Sequence, residues 1–218
     1  MPERPRVHAV VAPAPGADRS RAGVEARRRL ARAALRAAAA RCGPSAAEPF
    51  APAVDGSGAP LPHRGRHWSL AHTRGLCTAA VATGPAGPVG IDVEWLGRGR
   101  PAAFEERLDD AQRALLPDGG AGSLIALWTA FEAVLKLTGE GLAGLPHCRL
   151  AGVADDGAWL VAHRGRTRRV RQRRLGEHVL SLACDAPDGY RLEWSELCLL
   201  YTSPSPRDQR GSRMPSSA

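Results

Sequence analysis

A tryptophan, a carboxylate and an amine recur at four-residue intervals in the segment 128–142, WTAFEAVLKLTGEGL. Residues four apart lie on one face of an α-helix, so Trp128, Glu132 and Lys136 are expected to share a face. A Glu–Lys pair at this spacing is most often a solvated surface pair that contributes about 0.2–0.5 kcal/mol. The glycines that follow predict that the helix ends near Thr138.

Lys136 is the only lysine in the chain, whereas all the other cationic residues among the 30 Lys and Arg are arginines. An ammonium is a compact point charge, and a planar guanidinium cannot replace it where a cation must meet one phosphate oxygen or exchange a proton. Two interpretations of Lys136 therefore stand side by side. It is either a surface partner of Glu132 or a catalytic cation beside a phosphate.

The segment 88–95, PVGIDVEW, predicts a strand in which apolar side chains face one side while Asp92 and Glu94 face the other. Two carboxylates on one strand face repel each other, so either water screens them or a cation lies between them. Water screening is the commoner case. Glu132, on an apolar helix, adds a third carboxylate, and oxygen ligands of this kind suit Mg²⁺ that retains waters and substrate phosphates.

Composition bounds the class of protein. With 218 residues, of which 44% are hydrophobic, the chain can form one large globular domain or two small ones that share a core. A net charge of +8 favours an anionic partner, such as nucleic acid, an acidic membrane, a phosphorylated cofactor or an acidic protein. The cysteines are odd in number and scattered, which disfavours a disulfide framework and a structural zinc site.

No segment has the features of a targeting or membrane-spanning sequence. The first apolar stretch is interrupted by Pro13 and is too short for a secretory signal, and no apolar run approaches the length that crosses a bilayer. These patterns predict a cytoplasmic protein without a membrane partner.

Hydrophobic periodicity predicts an α+β fold in which a helix followed by strands occurs twice. Helices are expected at 24–41, at 104–116 and in the segment that ends near 138. Strands are expected at 7–11, 66–73, 76–83, 89–94, 148–153, 157–163, 167–174, 178–184 and 190–194. We place an N-terminal half at 1–95 and a C-terminal half at 96–197.

Residues 198–218 lack apolar periodicity and are predicted to form a disordered tail. The stretch CLLYTSPSPRD, followed after a gap by SRMPSSA, resembles the conceptual translation of a transposase-type sequencing adapter. Function is therefore argued from the first 197 residues.

Other basic and histidine residues have two interpretations each. His72 lies where the strand 66–73 ends, and it is either a structural hydrogen-bonding residue or a ligand contact. The arginines of the first helix, Arg27, Arg28 and Arg32, form either a solvated face or a phosphate contact. The basic run 164–174, RGRTRRVRQRR, suits a nucleic acid or an acidic protein, although it lacks the aromatic residues that stack on bases.

Three segments in this order and spacing, WSLAHT, VGIDVE and WTAFEAVLKLTGEGL, resemble the 4′-phosphopantetheinyl transferases. The resemblance spans about residues 24–197. The length is similar to that of the larger, surfactin-synthetase-activator type, which implies a pseudo-dimer of two similar α+β halves with the active site between them, acting as a monomer.

The resemblance implies transfer of phosphopantetheine from coenzyme A to a serine of an apo acyl or peptidyl carrier protein, with Mg²⁺. It implies that Asp92 and Glu132 are Mg²⁺ ligands and that Glu94 is a third ligand or holds a water. Glu132 is also implied as the base for the serine and Lys136 as the cation at the diphosphate. His72 is implied as a contact to the 3′-phosphate, with Arg27 and Ser69 also assigned to coenzyme A binding.

The chain departs from the family pattern at three positions. Phe131 stands where a Lys or Arg usually precedes the helix glutamate, Ala59 replaces the lysine of a G-K-P loop, and Ala71 replaces a serine before the histidine. Each change removes a polar group or charge expected near coenzyme A. Two alternatives therefore remain open: a non-catalytic relative that binds coenzyme A, and a basic nucleic-acid-binding protein.

Overall fold

The computed structural model describes residues 5–14, 20–42, 50–99, 102–117, 120–186 and 189–197. Its helices are α1 (Arg21–Arg41), α2 (Ala102–Glu105), α3 (Asp110–Ala114) and α4 (Ala121–Thr138). Its strands are β1 (Arg6–Pro13), β2 (Ala53–Val54), β3 (Pro60–Leu61), β4 (Arg66–Thr73), β5 (Leu76–Thr83), β6 (Val89–Trp95), β7 (Cys148–Val153), β8 (Trp159–His163), β9 (Arg166–Leu175), β10 (His178–Cys184) and β11 (Arg191–Glu196). The α+β class predicted from the sequence is confirmed.

Two sheets lie face to face between two long helices. The first sheet has the strand order β11-β1-β5-β4 and the second has the order β6-β10-β9-β8-β7. Helix α1 packs its alanines and leucines on the first sheet, and α4 packs on the second. Apolar residues of β1, β5, β6 and β10 fill the space between the sheets. These four layers bury the apolar face of each element.

The sheets draw strands from both sides of residue 95. Strand β6 pairs with β10 in the second sheet, although the other strands of that sheet come after residue 147. Strand β11 pairs with β1 in the first sheet, in parallel, with Arg6 opposite Arg191. The division into halves at 1–95 and 96–197 stays a prediction. Each sheet contains one strand from the other side of residue 95, namely β11 in the first sheet and β6 in the second.

Several boundaries agree with the predicted ones. Strands β4, β5, β7 and β10 have the predicted limits, and α4 ends at Thr138. Gly139, with φ of 74°, provides the left-handed residue that closes the helix. Helix α1 begins three residues before the predicted Val24, because the Ser20 hydroxyl caps it by accepting a hydrogen bond from the Gly23 N–H at 3.1 Å.

The single helix predicted at 104–116 is wrong. The chain forms the short helices α2 and α3 there, with a turn between them. The side chain of Asp109 accepts a hydrogen bond from the Gln112 N–H at 2.8 Å and thereby starts α3 as a new helix. An Asp within the apolar pattern was therefore a cap and not a surface residue of a continuous helix.

Helix α4 is long and apolar enough to cross a membrane by length and composition, but more than half of its residues are buried in the fold. Its apolarity is explained by its packing on the second sheet. The predicted tail at 198–218 lies outside the described residues.

Candidate active site

Strand β6 and helix α4 approach closely at Gly90. A Cβ on Gly90 would lie 1.9 Å from the Ala133 carbonyl oxygen, so only glycine permits this contact. Side chains alternate along a strand, which turns Asp92 and Glu94 toward α4 together with Gly90. Gly90 was not predicted as a site residue, although a glycine inside a strand is a known sign of close backbone approach.

Lys136 contacts Asp92 and not Glu132. Its Nζ donates a hydrogen bond to Asp92 Oδ1 at 2.7 Å and lies 3.5 Å from the Leu70 carbonyl oxygen of β4. No ion pair within 4.0 Å joins Lys136 to Glu132. The surface pair that the four-residue spacing suggested is therefore wrong, because the lysine reaches across to strand β6.

Glu94 has a cation of its own. It forms an ion pair with Arg98, and the Thr73 hydroxyl lies 3.4 Å from Glu94 Oε2. The Arg98 guanidinium also lies 5.8 Å from the centre of the Trp128 ring. Arg98 was not predicted as a site residue, although its position four residues after Glu94 indicated a possible ion pair. Each carboxylate of the like-charged pair thus has a side-chain cation.

Burial raises the pKa of all three carboxylates, and repulsion by a neighbouring carboxylate adds to the shift in Glu94 and Glu132. For Asp92, 7% exposed, burial raises the pKa and Lys136 opposes the shift. For Glu94 and Glu132, burial raises the pKa most and the charge of Asp92 raises it further, while Lys136 and Arg98 lower it. Three carboxylates in one desolvated place are a typical signature of a functional site.

The residues fit a magnesium site that a ligand completes. Asp92 Oδ2 is buried and has no hydrogen-bond partner. Among the described residues, no three His, Cys, Asp or Glu side chains could hold a metal ion by themselves. Mg²⁺ commonly binds one or two carboxylates and takes its other ligands from waters and substrate phosphates. Asp92, Glu94 and Glu132 have the donor chemistry for such a site.

A cationic cavity of about 470 Å³ lies beside Glu94. Its lining residues are Arg27, His72, Thr73, Arg74, Glu94, Trp95, Gly97, Arg98 and Gly99. Burial lowers the pKa of His72, and the charges of Arg27, Lys136 and Arg28 lower it further. The cationic side chains give this cavity the electrostatics of an anion site.

A second cavity, of about 320 Å³, is mainly apolar and is lined in part by Lys136. It is lined by the β2–β3 hairpin, by Trp68, Ser69 and Leu70 of β4, and by the end of α4. Ser69 is 1% exposed, and its hydroxyl accepts a hydrogen bond from the Ile91 N–H at 3.1 Å, which ties β4 to β6. Lys136 lines the apolar cavity and Glu94 lines the cationic one, so the group of charged residues borders both cavities.

The three departures from the family pattern all provide apolar contacts. Phe131 packs edge to face on Phe104, with ring centres 5.6 Å apart, inside the core beneath α4. Ala59 lies on the hairpin within 3.5 Å of the position a Cβ on Gly139 would take. Ala71 is buried between the sheets. None of them contributes charge to either cavity.

The arginine-rich run 164–174 forms ion pairs with the chain itself. Its partners are Asp185 for Arg166 and Arg168, Asp156 for Arg169 and Arg171, Glu140 for Arg164, and Glu196 for Arg173. These carboxylates neutralise much of the basic run. It therefore has less free positive charge than its sequence suggested for a nucleic-acid surface.

Asp92, Glu94, Glu132 and Lys136 lie together within the segment that a family model recognises. Residues 88–183 match the 4′-phosphopantetheinyl transferase superfamily. The match supports phosphopantetheinyl transfer in general as the activity. It extends from β6 to β10 and so leaves out Arg27, Ser69 and His72, whose roles rest on the resemblance and on the cavities. No curated protein matches the chain.

Proposed function

We propose that this protein transfers 4′-phosphopantetheine from coenzyme A to a serine hydroxyl of an apo acyl or peptidyl carrier protein, with Mg²⁺, in the cytoplasm. The observation that supports this most is the Asp92–Lys136 ion pair, with Glu94 and Glu132 close enough to Asp92 for their charges to interact with it, beside the two cavities. The superfamily match over the same segment agrees with it. The proposal includes the arrangement as two similar halves.

In the proposed reaction the serine oxygen bonds to the phosphorus that carries pantetheine, and the bond to the bridging oxygen of the diphosphate breaks. Adenosine 3′,5′-bisphosphate leaves with that oxygen, and the serine proton passes to a base. Glu132 suits this role, because burial and Asp92 raise its pKa toward the working pH of a general base. When bound, Mg²⁺ would neutralise charge on the phosphoryl oxygens.

The cations of the site have separate tasks. Lys136, which donates a hydrogen bond to Asp92, would neutralise a diphosphate oxygen next to the carboxylates. His72 and Arg27 line the cationic cavity and would bind the 3′-phosphate. Because the pKa of His72 is lowered, a bound phosphate would draw a proton onto the imidazole. Ser69 lines the apolar cavity and would contact coenzyme A there.

A non-catalytic relative that binds coenzyme A is the second candidate. It is favoured by the apolar character of Phe131, Ala59 and Ala71, which the family pattern would replace by polar or charged residues. Such a protein would keep the cationic cavity and lose turnover.

The deciding experiment is incubation of the protein with coenzyme A, MgCl₂ and an apo carrier protein, followed by intact mass of the carrier. A gain of one phosphopantetheine, absent with chelator and absent on a carrier whose acceptor serine is alanine, is expected. Binding of coenzyme A by calorimetry without any gain in mass would select the non-catalytic candidate. Steeply salt-dependent binding to random DNA, without any response to coenzyme A, would select the nucleic-acid binder.

A further inference from the structure

The backbone at Arg98, which lines the cationic cavity, is held by close packing on Trp95. A Cβ on Gly97 would lie 2.3 Å from the Trp95 ring, so this segment lies directly on Trp95. The Arg98 N–H donates a hydrogen bond to the Trp95 carbonyl oxygen at 3.0 Å. Its guanidinium then reaches both Glu94 and the face of Trp128.

The two partners of this ion pair differ in exposure. The Arg98 side chain is 46% exposed, whereas that of Glu94 is 16% exposed. Moving the guanidinium away costs little, because water and the Trp128 ring still solvate it. Glu94 would be left as a desolvated carboxylate near Asp92, which is unfavourable unless another cation replaces Arg98.

Arg98 forms an ion pair with Glu94. Lys136 contacts Asp92, so Glu94 depends on Arg98 for its counter-ion.

We infer that Arg98 is a positioning residue that competes with the divalent cation for Glu94 and exchanges this carboxylate for an anionic group of the incoming ligand. The inference rests on the proposed function for the identity of that ligand, a coenzyme A phosphate. In the free protein Arg98 weakens metal binding. When a phosphate takes the guanidinium, Glu94 becomes available to the metal, and ligand and metal bind cooperatively.

The first test uses Mn²⁺ alone, titrated into the full chain and followed by electron paramagnetic resonance, because Mn²⁺ prefers the same oxygen ligands as Mg²⁺. Arg98→Ala is expected to bind Mn²⁺ at least about fivefold more tightly than wild type, since Glu94 loses its competing cation. Arg98→Lys, which keeps the charge, is expected to stay close to wild type. Equal affinity in wild type and Arg98→Ala would overturn the inference.

The matched control is Arg191→Ala. Arg191 also pairs with a glutamate, Glu193, at 3.0 Å, and its side chain is 68% exposed on β11, outside the two cavities. Its removal changes the net charge by the same amount. An equal gain in Mn²⁺ affinity in this variant would show a general charge effect and would also overturn the inference.

The second test repeats the Mn²⁺ titration with saturating coenzyme A. Wild type is expected to show a larger ligand-induced gain in Mn²⁺ affinity than Arg98→Ala, because only wild type gains by releasing Glu94. The same gain in both would contradict the exchange. If wild type fails to bind coenzyme A, the proposed function fails, whereas the titration with Mn²⁺ alone still decides on the competition. Circular dichroism and melting confirm folding, and Arg98→Lys provides the comparison if Arg98→Ala does not fold.

Discussion

Lys136 donates its hydrogen bond to Asp92, on a neighbouring strand, rather than to Glu132, one turn earlier in the same helix. The only lysine of the chain is thus bound to a largely buried carboxylate and also lines the apolar cavity. A cation in this place stabilises ionised Asp92 in the free protein. This cation is also close enough to the proposed metal ligands to neutralise a phosphate that binds there.

The first prediction concerns Lys136. Lys136→Ala leaves Asp92 desolvated without its cation, so we expect a loss of about 1–3 kcal/mol in the free energy of unfolding. We also expect a loss of roughly 10²-fold or more in kcat/KM on an apo carrier protein. Lys136→Arg should keep most of the stability and still be impaired in turnover, because the longer, planar guanidinium cannot hold its charge at the position of the lysine ammonium. Equal turnover in wild type and both variants would show that Lys136 has no catalytic role.

The second prediction concerns Asp92→Asn. The substitution keeps the shape of the side chain and removes a charge whose burial is unfavourable, so the melting temperature should stay near that of wild type. Mg²⁺-dependent transfer should be abolished. Mn²⁺ binding, titrated by electron paramagnetic resonance, should also be lost. A folded variant with normal metal affinity would exclude Asp92 as a ligand.

The third prediction follows from the raised pKa of Glu132. The native state holds this proton more tightly than the unfolded state, so the stabilising effect of the protonated form is complete below the unfolded value near 4.5 and is lost as pH rises through the native pKa. Glu132→Gln cannot ionise. Its melting temperature should equal that of wild type in acid and exceed it increasingly toward neutral pH, without added metal.

Melting curves across that range provide the measurement for Glu132→Gln. The variant should lack transfer activity at every pH, since it has no base. A constant difference in melting temperature, independent of pH, would show that the carboxyl does not titrate as its burial implies.

The fourth prediction concerns the contact between strand β6 and helix α4. In Gly90→Ala the new methyl overlaps the Ala133 carbonyl oxygen, so we expect destabilisation of about 1–3 kcal/mol or more and a loss of activity as Asp92 moves relative to α4. Gly122→Ala is the matched control, because nothing lies within 4 Å of its Cβ position and alanine favours the helix. Melting temperatures of the two variants, compared with wild type, test the contact. A neutral Gly90→Ala would mean that the strand and helix lie further apart.

The helices and strands were predicted well where the sequence of the element itself carries the signal. The alternation in 66–73 and 178–184 is a property of each strand by itself, and Gly139 marks the end of α4 without any tertiary information. The split at Asp109 was missed, because the same residue type serves as a helix cap or as a surface residue.

The site was predictable in its residue types and less so in its contacts. Asp92 and Glu94 were singled out as like charges on one strand face, with water or a cation as the two explanations, and Glu132 as a third carboxylate on an apolar helix. The structure brings side-chain cations to Asp92 and Glu94. The partners Lys136 and Arg98 depend on how β6 crosses α4 at Gly90, which no local spacing specifies. The ion pairs of the arginines in β9 were also not predictable from local sequence, because their partners Asp156 and Asp185 lie outside that strand.

The parallel pairing of β11 with β1 has a consequence for synthesis on the ribosome. Strand β1 is synthesised before the whole of the chain that separates it from its partner, which begins only at Arg191. Until then, the nascent first sheet presents β1 as an open edge whose backbone N–H and C=O groups could pair with another nascent chain. Addition of β11 is therefore expected to be a late folding event, and chains stalled before residue 191 should be the ones that chaperones retain.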